Sequence, residues 1–296
     1  MKILIEVNSN IGDLVMNLPV INYLKKIYPD CEIDIIADKK SFNLLTETSN
    51  INKIYLKEKN KKAKILLFLN LLKNRYDLAI GLRSDAVPLL IRAKRKLYKN
   101  DRDKNLFDKQ SETLYHFSIL NKMFDVSQND IDPTIEFSNN SLTYVKNLID
   151  YKENEKILCI APGANFILKI WPKENFIELI NQIKTKFDKV IIVGAPSESD
   201  VCNEIALKTN SINLVGKTNL VQAAALLSLN KLFIGNDSGL GHISAAMGVN
   251  TLSIFAHANP DRYTPFRQKS ISRPDKDINK IRVDEVIEKL NSSNFL

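Results

Sequence analysis

The sequence predicts an α/β protein made of two Rossmann-like, doubly wound domains facing a central cleft. Short β-rich runs alternate with longer amphipathic stretches, the pattern of strand–crossover–strand units in a parallel sheet. That alternation begins twice, near residue 2 and again near residue 155. The chain is also long enough, at 296 residues, for two domains of roughly 150 residues each.

In the first half, KILIEV (2–7) reads as a strand bounded by the polar turn NSNIGD, and a helix follows through VMNLPVINYLKKIYP (15–29). EIDIIA (32–37), NKIYLK (52–57) and YDLAIGL (76–82) are further strands, with ILLFLNLLK (65–73) helical between the last two. In the second half EKILCIAP (155–162) is a very apolar strand, as suits the centre of a sheet buried on both faces. KVIIVG (189–194), INLVG (212–216), KLFIGN (231–236) and TLSIF (251–255) continue the strand series. Helical periods cover 173–187, 198–208, 219–229, 239–248 and 283–291. The stretch QNDIDPTIEFSNNSLTYVKN (128–147) is polar, contains Pro133 and carries a turn-prone SNNS. It reads as the connection, with a hinge between residues 140 and 155 separating domains 1–150 and 151–296. Ligands of such sheets bind at the carboxyl ends of the strands.

Composition narrows the class. A 44% hydrophobic content excludes a disordered chain. The longest apolar run, 65–72, is far short of the roughly 20 residues of a spanning helix. MKILIEVNSN breaks at Glu6 and lacks the pattern of a secretory leader. Cys31, Cys159 and Cys202 are widely spaced and form no CxxC pair, which fits reduced thiols and a cytoplasmic location.

The net charge of +8 is uneven: residues 53–104 hold sixteen Lys or Arg against five Asp or Glu. The blocks KEKNKKAK (57–64) and RAKRKLYK (92–99) carry most of it. Such a field speaks about partners. No zinc-finger spacing, ribonucleoprotein motif or basic recognition helix accompanies it, so a nucleic-acid partner is not expected. The remaining readings are a solvated lysine-rich face, or a surface toward an acidic glycolipid or the inner membrane leaflet. Arg83, Arg92, Lys94 and Arg95 are the candidate acceptor-binding residues.

Three motifs follow apolar strands. In NSNIGD, Gly12 permits a tight turn, and Asp13 is either a helix cap or a general base at the cleft mouth. In PGANFILKIWP (162–172), Gly163 and the amides after it suit an anion nest, with Lys169 as a nearby positive charge. In GNDSGLGHISAAMG (235–248), glycine-flanked amides at a helix start suit phosphate, while Asp237 suits sugar hydroxyls. His242 is either a satisfied core histidine or a donor to the ligand. GxxxxGK[ST], HExxH and GxSxG are absent, and the DxD at Asp130 and Asp132 falls in the connecting segment. No metal or other cofactor is therefore expected.

These segments resemble glycosyltransferase family 9, the ADP-heptose:lipopolysaccharide heptosyltransferases and their relatives. The likeness rests on residues 3–37, 161–180, 190–198 and 235–266. It implies a GT-B fold and a metal-independent, inverting transfer from a nucleotide sugar, ADP-heptose in the best-known members, to lipopolysaccharide core or a related glycan. The alternatives are a GT-B transferase using another nucleotide sugar, or a non-catalytic subunit of a glycan-assembly complex. By the same likeness Asp13 is the general base and Lys169 holds the donor diphosphate. Asp237 binds the transferred sugar, and Ser238, Gly239, Gly241 and His242 line the donor site. Ile170 follows Lys169 where an arginine is usual, and Pro196 and Ser197 stand near the family's acidic nucleoside contact, with Glu198 beside them.

Overall fold

Parallel pairing of five strands builds the amino-terminal sheet. β1 (Lys2–Glu6), β2 (Glu32–Ala37), β3 (Ile51–Leu56), β4 (Tyr76–Gly81) and β5 (Ala93–Leu97) run in the order β3-β2-β1-β4-β5. The connections are α1 (Ile11–Val15), α2 (Leu18–Ile27), α3 (Lys39–Leu45), α4 (Lys61–Leu72) and α5 (Ala86–Leu90), and α6 (Glu112–Phe117) follows β5. The computed structural model describes residues 1–49, 51–58, 60–107, 111–256 and 258–296; Lys59 of the first basic block lies outside them. The chain divides into two compact units, Met1–Glu136 and Phe137–Leu296.

The second unit opens with α7 (Asn139–Leu148). Its six parallel strands are β6 (Ile157–Ala161), β7 (Lys189–Ile192), β8 (Ile212–Asn213), β9 (Leu232–Asn236), β10 (Asn250–Ile254) and β11 (Lys269–Ile271). They lie in the order β11-β10-β9-β6-β7-β8. The helices are α8 (Lys173–Ile183), α9 (Ser199–Thr209), α10 (Leu220–Leu227), α11 (Gly239–Ala246), α12 (Pro260–Tyr263) and α13 (Val283–Ser292). β6 is buried at all five positions, and Trp171 packs edge-on against Phe176, centroids 4.9 Å apart, in the core beside it.

Strand order reverses between β1 and β4 in the first unit and between β6 and β9 in the second. Loops leaving such a pair of strands diverge and open a crevice at the carboxyl ends. NSNIGD leaves β1, the 162–171 loop leaves β6, and Asp237 and Ser238 leave β9. All three sequence motifs therefore stand at reversal points.

Four expectations change. The helix expected at 15–29 is broken into α1 and α2, because Pro19 sits in the first turn of α2, where its missing N–H costs nothing. Buried Asn17 fills the break, its Oδ1 accepting from the Asn8 amide at 2.9 Å. The helix expected at 65–73 begins four residues earlier, where Asn60 caps it by accepting from the Lys62 amide at 2.9 Å.

The polar connection expected at 128–147 contains α7, and SNNS is its cap: Ser138 Oγ accepts from the Ser141 amide at 3.2 Å. Tyr144 Oη donates to the Lys217 carbonyl at 2.9 Å, so α7 belongs to the second unit and the division falls at 136/137 rather than near 150. Finally, much of RAKRKLYK is β5, an edge strand. Lysine on an edge blocks pairing with foreign strands, which gives this block a structural purpose.

All three cysteines are free and buried. Burial raises each thiol pKa, and Cys202, with Glu198 adding to the effect, is pushed up to about 12. The thiolate is the reactive form. None should react with Ellman's reagent at pH 8 in the folded protein, and all three should react after denaturation; a rapid native-state equivalent would contradict this packing.

Candidate active site

In the first unit the site is built where β1, β2 and β4 end. Asn10 takes the N-cap position of α1, in extended conformation, and Asp13 lies in the first helical turn. Asp13 is thus not the cap. Its Oδ2 accepts from Asn10 Nδ2 at 2.9 Å, which orients the half-buried carboxylate and leaves Oδ1 without a partner among the described residues. A carboxylate held on one oxygen and open on the other has the form of a proton acceptor.

Further polar groups that no motif announced stand at the carboxyl ends of β1 and β4. Glu6, fully buried at the end of β1, accepts from Lys57 Nζ and, at 2.6 Å, from Ser84 Oγ. Lys57 belongs to the first basic block, so part of that block's charge is spent inside the fold. Arg102 is buried, donates from Nη2 to the Leu82 carbonyl, and lies 5.3 Å from the Tyr115 ring centroid. Burial lowers its pKa, against the attraction of Tyr115, Glu112 and Asp85. His116 Nε2 is 3.4 Å from Asn8 Nδ2 and 3.5 Å from Glu112 Oε1. Ser9 Oγ, Asp85 Oδ1 and Arg102 Nε are buried without partners among the described residues. Groups of this kind are normally satisfied by water or by a polar ligand. Only the Glu112 and His116 pair has a visible spacing, i to i+4, and that spacing is common on helices.

The four expected acceptor-binding residues do not form one patch. Arg83 follows β4 at the carboxyl end, exposed, with Nη1 3.7 Å from Asp38 Oδ2. Arg92 and Lys94 lie at the opposite end of the sheet. There the Arg92 carbonyl pairs with the Tyr76 amide, and Lys94 Nζ meets Asp77 Oδ1 at 2.7 Å, holding that carboxyl below its usual range. Arg95, in mid-strand, lines an open groove of about 490 Å³ with Lys96, Leu97, Asp101, Lys122 and Met123.

In the second unit the site is anchored by Asn236, the buried last residue of β9. Its Nδ2 donates to the Pro162 carbonyl at 2.6 Å, and its Oδ1 accepts from the Trp171 amide at 3.1 Å. One side chain thus holds both ends of the loop that carries Lys169. Trp171 is itself tied down, Nε1 donating to the Ile281 carbonyl at 2.8 Å. Lys169 Nζ reaches Asp237 Oδ2 in an ion pair with side-chain exposures of 29% and 11%, so both charges are partly desolvated. Asp237 is further fixed by its amide, which donates to the Ile254 carbonyl at 3.1 Å.

Ser238 is the N-cap of α11, yet its side chain makes no capping bond and its Oγ is buried without a partner among the described residues. The first-turn amides of α11 therefore lack a side-chain cap, and a helix start in that state favours an anion.

Two of the expected donor-site glycines are also required by packing. A Cβ on Gly163 would fall 1.9 Å from the Glu198 carboxyl, so this glycine makes room for a carboxylate. Glu198 in turn accepts from the Ala195 amide at 2.8 Å. A carboxylate there repels phosphate and suits hydroxyl groups. A Cβ on Gly241 would meet Ser253 Oγ at 3.2 Å, so Gly241 lets α11 approach β10 and is buried. Gly239 is half-exposed at the start of the helix, and His242 is buried within it.

Residues 67–281 match the family model described as glycosyltransferase family 9 (heptosyltransferase). The chain belongs to glycosyltransferase family 9. It is similar to lipopolysaccharide heptosyltransferase 3 of Escherichia coli, 28% identical over 289 residues, which cover 88% of this chain and 85% of that one. The solved ADP-heptose lipopolysaccharide heptosyltransferase II of E. coli superposes with a TM-score of 0.78 at 25% identity, covering 99% of this chain and 98% of that one. A family 9 glycosyltransferase from Veillonella parvula reaches a TM-score of 0.83 at 16% identity, over 98% and 96%, which speaks for the fold alone. The two parallel-sheet units are those of a GT-B fold, and the enzyme is a glycosyltransferase.

Proposed function

We propose that this enzyme moves heptose from ADP-heptose onto an acidic lipopolysaccharide-core acceptor, with inversion and without a metal ion. The observation that carries the reading is the Lys169–Asp237 pair beside the uncapped start of α11, at the strand reversal of the second unit. The ammonium group and the first-turn amides neutralise the diphosphate as it leaves, the task that a divalent cation performs in other sites. Asp237 accepts hydrogen bonds from the heptose hydroxyls, with Ser238, Gly239 and His242 beside it. Glu198 accepts from the hydroxyls of the nucleoside ribose, which fills the role of the family's acidic contact.

Asp13 takes the proton of the acceptor hydroxyl. The oxygen so freed bonds to the anomeric carbon, the bond from that carbon to the phosphate oxygen breaks, and ADP leaves with the electron pair. Arg83 and the buried Arg102 offer positive charge to an acidic acceptor. Among the described residues no helix is long and apolar enough to cross a membrane. We place the enzyme in the cytoplasm, acting at the inner face of the membrane where a glycolipid acceptor is presented.

Calorimetry against ADP-, UDP-, GDP- and TDP-sugars, followed by product analysis with a purified core acceptor, tests this. ADP-heptose should bind and turn over, and a chelator should leave the rate unchanged. Turnover with another donor and none with ADP-heptose would overturn the donor, and loss of activity with EDTA would overturn the metal-free site.

A further inference from the structure

The outer face of α4 has a composition that its role as a crossover does not require. Leu67 and Leu71 turn inward and pack on the sheet beside Tyr55, Ala79 and Val87. Ile65, Leu66 and Leu69 turn outward instead and are 61%, 60% and 53% exposed. At helical spacing these three form one stripe. On α5, whose Val87 joins the same core cluster as α4, Leu89 and Leu90 are also exposed, at 68% and 52%.

The charge around the stripe is of one sign. Lys61, Lys62 and Lys64 precede it, Lys73 and Arg75 follow it, and residues 60–76 contain no Asp or Glu. All five of these basic residues are exposed. Three lysines in the first turn face the positive end of the helix dipole, an arrangement that weakens the helix. A local cost of that kind is expected where a partner repays it. Exposed aliphatic residues amid basic ones are the composition of a helix that lies in a lipid headgroup layer.

The geometry points to α4, with the tip of α5, as the surface by which this enzyme docks on an anionic bilayer. Ile65, Leu66 and Leu69 enter the acyl boundary, and the lysines meet lipid phosphates. A second copy of the chain is the poorer occupant, since a two-fold contact would set the like-charged lysines against one another. The inference rests on the reading of a membrane-borne acceptor.

Vesicle flotation of the full chain without acceptor, using phosphatidylglycerol-containing vesicles and pure phosphatidylcholine, tests it directly. Binding to the anionic vesicles only, weakening as salt is raised, is expected. Leu66→Ser/Leu69→Ser should lower the bound fraction about tenfold or more, and Lys61→Gln/Lys62→Gln about fivefold per lysine. Both variants should keep the wild-type melting temperature and the wild-type rate on a water-soluble acceptor fragment. Absent vesicle binding, binding unchanged in both variants, or a dimer in gel filtration that the leucine variant dissolves would overturn the docking surface. Docking with no heptosyl transfer would instead overturn the proposed reaction.

Discussion

Asp13→Asn should lower kcat by about 10² to 10⁴-fold while the donor dissociation constant stays within about twofold. The substitution is nearly isosteric, and the amide oxygen can still accept from Asn10 Nδ2, which holds the native carboxylate at 2.9 Å. Orientation survives and only basicity is lost. The separation of the two parameters is the informative part. Loss of donor binding alongside turnover would mean that Asp13 supports the donor pocket, and near-normal turnover would remove it as the base. Initial rates with saturating donor, combined with calorimetry of ADP, distinguish these results.

The second large effect is expected at Lys169. In Lys169→Ala the ammonium is lost, and Asp237 is left as an unpaired, partly buried carboxylate beside the proposed diphosphate site. An attraction is thus replaced by a repulsion, and kcat/KM should fall by about 10³-fold or more. The pair also makes a prediction that neither residue makes alone. Lys169→Ala/Asp237→Ala should bind ADP more tightly than Lys169→Ala, because the repelling charge has gone, although it should remain inactive. Such non-additivity is the mark of two groups acting as one unit. Equal ADP affinity in the wild type and in Lys169→Ala would show that the lysine serves the fold and not the diphosphate.

Much of the architecture was legible because strand and helix periods are local. EIDIIA matches β2 residue for residue, and the strand expectations at 76–82, 155–162 and 231–236 each contain the observed element. What failed was also instructive. RAKRKLYK carries no apolar alternation, so its strand is set by pairing of β5 with β4 across the chain. The connecting segment hid α7 because a helix needs only one buried stripe, here Ser141 and Val145, in an otherwise polar sequence.

By itself, the sequence determined the family, the repeated βα order and the three loops that emerge at strand ends, since these depend on residue identity over short spans. The pairing of charges was decided only by the tertiary structure. Glu6 meets Lys57 and Ser84 across 51 and 78 positions, Lys169 meets Asp237 across 68, and Asn236 spans both ends of a loop more than 60 residues away. Crossover connections bring distant strand ends together, and no local spacing encodes which ends become neighbours. For the same reason the charge of the basic blocks could be counted in advance, but not divided among a buried partner, an edge strand and an exposed helix face.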